Sequence, residues 1–239
     1  MESLVNPSPS FWSGKSVLLT GHTGFKGGWL ATWLGLLGAR ISGFALAPDA
    51  EPNFFTQTNL GGVLGSNFHD LRDTSALDKV LAAAAPEIVF HLAAQPLVRR
   101  SYHDPMETIA VNVLGTANLL HALRGSGVKA VVVVTTDKCY ENNESIWPYR
   151  ESDSLGGRDP YSASKACTEI VTRSFHDSFL AAEGIHTATA RAGNVLGGGD
   201  WAPERLVPDC VRAALKGEIV VIRSPKATRP WQHVLEPLL

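Results

Sequence analysis

The sequence predicts an α/β protein with a doubly wound, Rossmann-like parallel sheet, followed by a small, truncated C-terminal region. Short β-branched runs alternate with helix-like segments along most of the 239 residues. Several of the strand-like runs are continuously apolar, and residues 130–135 include four consecutive valines, while the run at 65–69 is weaker. Apolar strands of this kind indicate burial on both faces, and strand–helix alternation is typical of a parallel sheet covered by helices.

The elements follow one another in a regular order. The pattern predicts strands at residues 17–20, 40–46, 65–69, 87–92, 130–135 and 187–191, and helices at 29–37, 74–84, 106–123 and 161–182. After Asn194 the sequence changes to glycine, proline and scattered charge, which places a domain boundary between residues 1–193 and 194–239. A second domain of about 45 residues is below the usual range for an independent core. We therefore expect it to be truncated, with a naturally short lid as the alternative.

Composition excludes several classes of function. The formal net charge of -2 gives no basic excess for nucleic-acid binding. The three cysteines lie far apart without zinc-type spacing, so we expect a reducing cytoplasm and no metal site. Residues 1–10 are polar and lack a signal-peptide pattern, and no apolar stretch is long enough for a membrane span.

The first candidate site is a glycine-rich turn between the first strand and its helix. Glycines allow a tight turn and let backbone N–H groups approach a pyrophosphate, while the helix N-terminus adds partial positive charge. The alternative is an ordinary tight turn. We expect the cofactor to contact Gly21, Thr23, Gly24, Phe25, Lys26 and Gly27.

The ribose-binding position is less defined in the sequence. An acidic residue is expected at the end of the second strand, but Leu46 and Ala47 stand there and Asp49 lies slightly beyond. NAD is therefore expected, while NADP stays open. Asp70 and Leu71 fall where an adenine-contacting loop belongs, although a surface turn explains them as well.

Two further groups carry chemistry. Tyr161 and Lys165 are four residues apart and share a helix face, where an ammonium favours the tyrosinate of a general base. Thr136, Asp137 and Lys138 follow the most apolar strand, at the sheet edge that faces ligands in such folds. Asp137 acts as an acid if its pKa is raised. The alternatives are a solvated Tyr/Lys pair and a turn carboxylate.

These motifs together resemble the extended short-chain dehydrogenase/reductase family, in its nucleotide-sugar branch. The resemblance covers nearly everything from Phe11 onward. Besides the glycine-rich turn, residues 135–140 and residues 161–165, it rests on His91-Leu92-Ala93-Ala94-Gln95-Pro96-Leu97-Val98, Gly193-Asn194-Val195-Leu196-Gly197-Gly198-Gly199-Asp200-Trp201 and Arg229-Pro230-Trp231-Gln232-His233-Val234. Asp137-Lys138 replaces the acidic pair of related dehydratases and indicates the CDP-sugar branch.

The resemblance implies NAD-dependent dehydration of CDP-glucose to CDP-4-keto-6-deoxyglucose. It implies that Tyr161 takes the proton of the sugar 4-hydroxyl, assisted by Thr136, and that Lys165 binds the nicotinamide ribose and lowers the Tyr161 pKa. Lys138, directly or through a water, is the base at carbon 5, and Asp137 is the acid for the leaving hydroxyl. A lysine is a base only if it is partly neutral.

Other positions are expected to bind ligands on weaker grounds. Ala93, Ala94 and Gln95 are expected beside the nicotinamide, and Asn194 beside the sugar diphosphate. Arg205 and Arg229 are suitable phosphate partners. His233, Trp201 and Trp231 either contact the substrate or pack, and Asn112 either braces the sheet or faces solvent.

Two other functions stay open from the sequence. A nucleotide-sugar 4-epimerase of the same family would need the tyrosine and the lysine but no acid at position 137. A nucleotide-sugar-binding fragment without catalysis is the other alternative. The resemblance also implies a homo-oligomer formed through helices 106–123 and 161–182.

Overall fold

A six-stranded parallel sheet forms the centre of the molecule, in a computed structural model that describes residues 8–238. The strand order is β3-β2-β1-β4-β5-β6, and every pairing between neighbours is parallel. This order confirms the doubly wound Rossmann-like fold. The strands are β1 (Ser16–Thr20), β2 (Arg40–Ala45), β3 (Gly65–Phe68), β4 (Ile88–His91), β5 (Ala130–Val134) and β6 (His186–Ala190).

Helices cover both faces of the sheet. Leu18 in β1 packs into one core, and its neighbours Val17 and Leu19 pack into a second core on the opposite face. Alternate residues of a strand point to opposite faces, so burial of all three requires two layers of helices. The helices that precede β6 are α1 (Pro9–Trp12), α2 (Phe25–Leu36), α3 (Phe54–Gln57), α4 (Thr74–Ala84), α5 (Val98–His103), α6 (Pro105–Ile109), α7 (Gly115–Ala122) and α8 (Pro160–Phe175).

Two long helices contain a wider turn that the sequence did not predict. The predicted helix 106–123 consists of α6 and α7 joined by a π-helical segment, Ala110–Leu114, and α8 continues into another, His176–Leu180. Asn112 lies in the first of these segments and is buried. Its side-chain N–H groups donate to the Gln95 carbonyl (3.1 Å) and to Ser164 Oγ (2.9 Å). Asn112 therefore braces the end of β4 against α8.

The C-terminal region is a small layer that packs on the first helices. Strands β7 (Asn194–Leu196) and β8 (Trp231–His233) pair in parallel, and α9 (Leu206–Lys216) lies between them in the chain. Trp29 Nε1 donates to the Gly198 carbonyl (3.0 Å), and Trp201 Nε1 donates to Gln57 Oε1 (3.0 Å). The domain boundary at residue 194 coincides with the start of β7 but stays a prediction.

The absence of a signal peptide concerns residues 1–10, of which 1–7 lie outside the described residues. Within residues 8–238, the structure contains no helix with the length and apolar character needed to cross a membrane.

Candidate active site

The glycine-rich turn connects β1 to α2 through close backbone contacts. Gly21 adopts a positive φ of 77°, and a Cβ built on it would lie 2.6 Å from the Ala93 nitrogen. A Cβ on Gly27 would lie 2.0 Å from the Gly21 carbonyl oxygen. Only glycine fits both positions, which brings the start of α2 against the end of β4. The binding of a phosphate at this turn stays a prediction.

The glycine-rich turn lines one wall of a cleft, and the loop after β4 forms the opposite wall. Ala93 and Ala94 line this cleft, as does Pro96. Gln95 is placed differently: it is buried, and its side-chain amide donates to the Leu97 carbonyl (3.1 Å) and to Thr108 Oγ1 (2.9 Å). Gln95 thus shapes the loop from behind, although the sequence placed it in the cleft with the two alanines.

Tyr161 and Lys165 lie on the first turns of α8, which faces the cleft. Asp159 caps this helix, accepting hydrogen bonds from Ser162 N (2.9 Å) and Ser162 Oγ (2.6 Å). The ammonium of Lys165 donates to the Val134 carbonyl at the end of β5 (3.3 Å). Both side chains line the cleft and both are buried.

Burial controls the acidity of this pair. It raises the pKa of the Tyr161 phenol to about 12, although the positive charge of Arg205 and a hydrogen bond with Thr136 act in the opposite direction. Burial, assisted by the nearby ammonium of Lys26, lowers the pKa of Lys165 to about 8. The lowering of the Tyr161 pKa by Lys165 stays a prediction, because desolvation of the phenolate dominates this pKa in the structure.

The turn after β5 carries the third group of predicted residues. A single 3₁₀ turn, Asp137–Cys139, follows the strand. Thr136 Oγ1 donates to Asp137 Oδ1 (2.8 Å), and the Lys138 amide approaches Thr136 Oγ1 at 3.4 Å. All three side chains are partly exposed and line a cavity at the carboxyl edge of the sheet.

Two adjoining cavities meet at Tyr161. The first, of about 300 Å³, runs along the glycine-rich turn, and the second, of about 410 Å³, extends toward the C-terminal region. Asp137 and Lys138 line only the second cavity, as do Asn194 and Arg229. Five residues line both cavities, namely Lys26, Pro96, Thr136, Tyr161 and Arg205. A group held in the first cavity therefore adjoins a group held in the second, with the phenol between them.

The far end of the first cavity contains the predicted adenine-side residues. Asp70 and Leu71 line it together with Leu46, whereas Asp49 does not. Asp70 forms an ion pair with Arg72 (2.5 Å), and the hydrogen bond from Arg72 keeps the pKa of Asp70 below its usual value. The sequence had no signal for this pairing.

The predicted substrate residues divide into two groups. Asn194, Arg205 and Arg229 line the second cavity, and Arg205 forms an ion pair with Asp200 (3.1 Å). His233 lines neither cavity and packs edge-on against Trp29.

The two tryptophans of the C-terminal region also separate. Trp231 lines the second cavity, whereas Trp201 lines neither cavity.

Sequence reasoning missed an ion pair across the second cavity. Arg99, in α5, lies 2.9 Å from Glu204 of the C-terminal region. The Glu204 carbonyl also accepts a hydrogen bond from Arg223 (2.9 Å). Arg99 follows the sequence motif 91–98 directly, so the motif pointed to its neighbourhood, but its partner more than one hundred residues away had no signal in the sequence.

The fold and site define an α/β protein of the Rossmann type, with a tyrosine and a lysine on one helix beside two adjoining cavities. The family model described as "NAD dependent epimerase/dehydratase family" matches residues 17–236. The chain belongs to this family.

Curated relatives include several nucleotide-sugar dehydratases. The chain is 50% identical over 235 residues to the CDP-glucose 4,6-dehydratase of Salmonella typhimurium. This alignment covers 96% of the chain and 66% of the Salmonella protein. The chain is 29% identical to the dTDP-D-glucose 4,6-dehydratase of Dictyostelium discoideum, covering 92% of this chain and 53% of that protein. The chain thus spans between about half and two thirds of the length of these relatives.

Solved structures agree with the fold. DesIV, a dTDP-glucose 4,6-dehydratase from Streptomyces venezuelae solved with NAD bound, is 28% identical, with a TM-score of 0.81 over 93% of this chain and 69% of that chain. A UDP-glucose 4-epimerase from Thermotoga maritima has a TM-score of 0.83 over 93% of this chain and 70% of that chain. Its identity of 23% supports the shared fold alone.

Proposed function

We propose that this protein catalyses the NAD-dependent dehydration of CDP-glucose to CDP-4-keto-6-deoxyglucose. The observation that carries the proposal is the junction of the two cavities, where Tyr161 and Thr136 stand between the glycine-rich turn and the Asp137–Lys138 pair. The 50% identity to a CDP-glucose 4,6-dehydratase supports the same reaction.

The first cavity suits NAD. The glycine-rich turn leaves room for a pyrophosphate next to the start of α2, since a side chain at position 21 or 27 would collide with backbone. At the ribose end the lining is Leu46, His69 and the paired Asp70, and the nearby cation Arg72 is engaged by Asp70. This lining favours NAD over a cofactor with an additional phosphate. When bound, NAD supplies a reversible hydride acceptor.

The Tyr161 group serves the oxidation of sugar carbon 4. The phenolate of Tyr161 removes the proton of the 4-hydroxyl, and Thr136 hydrogen-bonds the same oxygen, for which its hydroxyl turns away from Asp137. With its pKa near 12, the Tyr161 phenol is protonated at neutral pH, so it needs additional positive charge to become a base. Lys165, with a pKa of about 8, holds the cofactor ribose and contributes that charge below this pH.

Asp137 and Lys138 serve the loss of water. The ketone at carbon 4 acidifies the proton on carbon 5, which Lys138 or a water that it binds removes. Asp137 protonates the hydroxyl that leaves carbon 6, so that water departs across carbons 5 and 6. The hydride taken from carbon 4 would then be added to carbon 6 and the proton held by Lys138 to carbon 5, so that the overall reaction leaves the cofactor unchanged. Both side chains line only the second cavity, consistent with action on the sugar.

The second cavity also provides groups for the nucleoside diphosphate. Arg205 and Arg229 are planar cations that bind phosphate oxygens in a bidentate manner, and Asn194 adds an amide. Trp231 lies in the same cavity and offers an aromatic face for the cytosine. His233 is assigned to packing.

Incubation with NAD and CDP-, dTDP-, UDP- or GDP-glucose, followed by mass spectrometry, tests the function. The expected result is loss of water from CDP-glucose. A 4-epimerase would give an isomer of unchanged mass, and a binding protein would return the substrate intact. Either result contradicts the dehydratase proposal.

The Lys138→Ala variant tests the division of roles. The expected result is that exchange of the carbon 5 proton with solvent stops, while oxidation at carbon 4, followed as absorbance of the reduced nicotinamide, continues. Equal loss of both signals would refute the role of Lys138.

We also propose that two copies of the chain associate through α6–α7 and α8 in the cytoplasm. Met106, Leu114 and Ile170 are exposed apolar side chains on these helices. Such side chains favour association through a shared helical surface. Size-exclusion chromatography is expected to give a species larger than a monomer, and a monomer at all concentrations would contradict the proposal.

A further inference from the structure

A buried ion pair lies behind the candidate active site. Glu169, one helical turn after Lys165 in α8, is 5% exposed. Its carboxylate accepts hydrogen bonds from Arg191 Nε (3.0 Å) and Nη2 (2.9 Å), from Thr189 Oγ1 (2.8 Å) and from Thr135 Oγ1. Burial opposes its ionisation, but these hydrogen bonds keep the pKa of Glu169 below its usual value. The carboxylate is thus charged and fully occupied by its partners.

This ion pair contacts both ends of the turn that carries Asp137 and Lys138. Thr135, immediately before the turn, donates to Glu169. Tyr140, immediately after it, lies under the guanidinium of Arg191, whose carbon is 4.8 Å from the ring centroid. A single buried pair therefore holds the two residues that flank Thr136–Cys139.

Arg191 also ties the turn to the next loop. Its Nη1 donates to the Glu151 carbonyl (3.1 Å). Tyr149, in the same loop, stacks on Tyr140 with ring centroids 4.6 Å apart. Inside the turn, the Cys139 amide donates to the Thr136 carbonyl (3.1 Å). The Asp137 amide also donates to the carbonyl of Ala192, the residue after Arg191 (3.1 Å), and the Cys139 carbonyl accepts from the Gly156 amide (2.8 Å). The orientation of the turn therefore depends on its contacts with the neighbouring segments.

We propose that Arg191, held by Glu169 and acting through the ring of Tyr140, is a positioning residue for the acid and base of the dehydration step. The inference rests on the proposed function, because it assigns Asp137 and Lys138 to that step. Neither Arg191 nor Glu169 lines either cavity, so neither touches a bound ligand. Arg191 acts on the reaction only through the turn.

The two halves of the reaction depend on this arrangement to different extents. Tyr161 and Lys165 are held by α8, and Lys165 by its bond to Val134, and neither is a hydrogen-bond partner of Arg191. Lys138 is two residues from Tyr140, and its placement changes if the ring loses its cation. A displacement of about 1 Å at a catalytic group costs on the order of a hundredfold in rate. Loosening the far end of the turn should therefore slow water loss more than oxidation.

Three variants test the proposal. Tyr140→Leu removes the ring, Arg191→Lys keeps the charge beside Glu169 but loses the planar contact, and Tyr140→Phe keeps the ring as the matched control. For the first two, we expect the rate of water loss from CDP-glucose to fall on the order of tenfold to a hundredfold, with oxidation at carbon 4 within about threefold of the parent. Tyr140→Phe should keep both rates within about threefold.

Hydrogen exchange measured without ligands gives a second readout. Amide exchange in peptides covering residues 136–156 should rise in Tyr140→Leu and Arg191→Lys but not in Tyr140→Phe. Thermal unfolding of each variant verifies that the fold persists. Parallel loss of both half-reactions, or unchanged water loss with increased exchange, would overturn the positioning role. Absence of water loss in the parent protein would instead refute the proposed function itself.

Discussion

Replacing His91 with glutamine should reduce the loss of stability that this protein undergoes in mild acid. His91, in β4, is 3% exposed. Thr116 Oγ1 donates to the Asn112 carbonyl (2.6 Å), so it accepts from His91 Nε2 (3.0 Å). His91 Nδ1 then accepts from Thr20 Oγ1 (2.7 Å). The hydrogen-bond pattern thus assigns a neutral imidazole with both nitrogens satisfied.

Burial, together with the positive charge of Lys165, lowers the pKa of His91 from 6.5 to about 3. Because each tenfold change in an equilibrium corresponds to about 1.4 kcal/mol, protonation of folded His91 costs about 5 kcal/mol more than in the unfolded chain. The unfolded chain binds the additional proton between these pH values. Stability is therefore lost as pH falls from 6.5 toward 3, at about 1.4 kcal/mol per pH unit.

The assay is urea unfolding followed by tryptophan fluorescence at several pH values between about 5 and 6.5, above the usual carboxylate range. His22, whose pKa burial lowers to about 4, contributes a second slope of the same sign. Because the unfolded histidine is only partly protonated over much of this range, His91→Gln should lower the slope by about 1 kcal/mol per pH unit. His121→Gln, at an exposed position in α7, is the matched control. An unchanged slope in His91→Gln would refute the assignment, whatever its absolute stability.

Two further substitutions measure packing and ion pairs. Gly27→Ala should destabilise the protein by about 3 kcal/mol or more and weaken NAD binding, because its Cβ would lie 2.0 Å from the Gly21 oxygen. Gly24→Ala, whose Cβ would meet that oxygen at 3.4 Å, should cost less than about 1 kcal/mol in the same urea titration. Arg191→Ala should cost about 3–5 kcal/mol, since it leaves a buried carboxylate unpaired, whereas Asp177→Asn breaks an exposed pair and should cost less than about 0.5 kcal/mol. Equal costs within either pair of variants would contradict these estimates.

The sequence predicted the sheet well because its strands are apolar on both faces. Strands β1, β4 and β5 have strongly apolar runs, whereas β3 (Gly-Ser-Asn-Phe) and β6 (His-Thr-Ala-Thr-Ala) contain no fully buried residue, and β3 gave a weaker pattern. The short helices α3 and α5 were missed, since a few residues do not establish a helical period. The π-helical segments have no known compositional signal. The first of them contains Asn112, and the hydrogen bonds of this side chain to Gln95 and Ser164 explain why the wider turn is tolerated there.

The candidate site was predicted where a motif is local and missed where the topology creates it. Tyr161 and Lys165 are four residues apart, so their proximity follows from helix geometry. Glu169 and Arg191 meet only because β6 pairs beside β5, which places the end of one strand over the middle of α8. The acidity of Tyr161 was misjudged for the same reason, since burial depends on the whole fold.

The cation that favours the Tyr161 phenolate in this structure differs from the one that the sequence predicted. Lys165 was expected to lower the Tyr161 pKa, but the cation that does so in this structure is Arg205, from the C-terminal region. Arg205 also lines both cavities and is paired with Asp200. One guanidinium thus faces both the phenol and the space proposed for the diphosphate. In the proposed reaction, the acidity of the Tyr161 phenol therefore depends on how the C-terminal region packs against the sheet, which links formation of the second cavity to the first proton transfer.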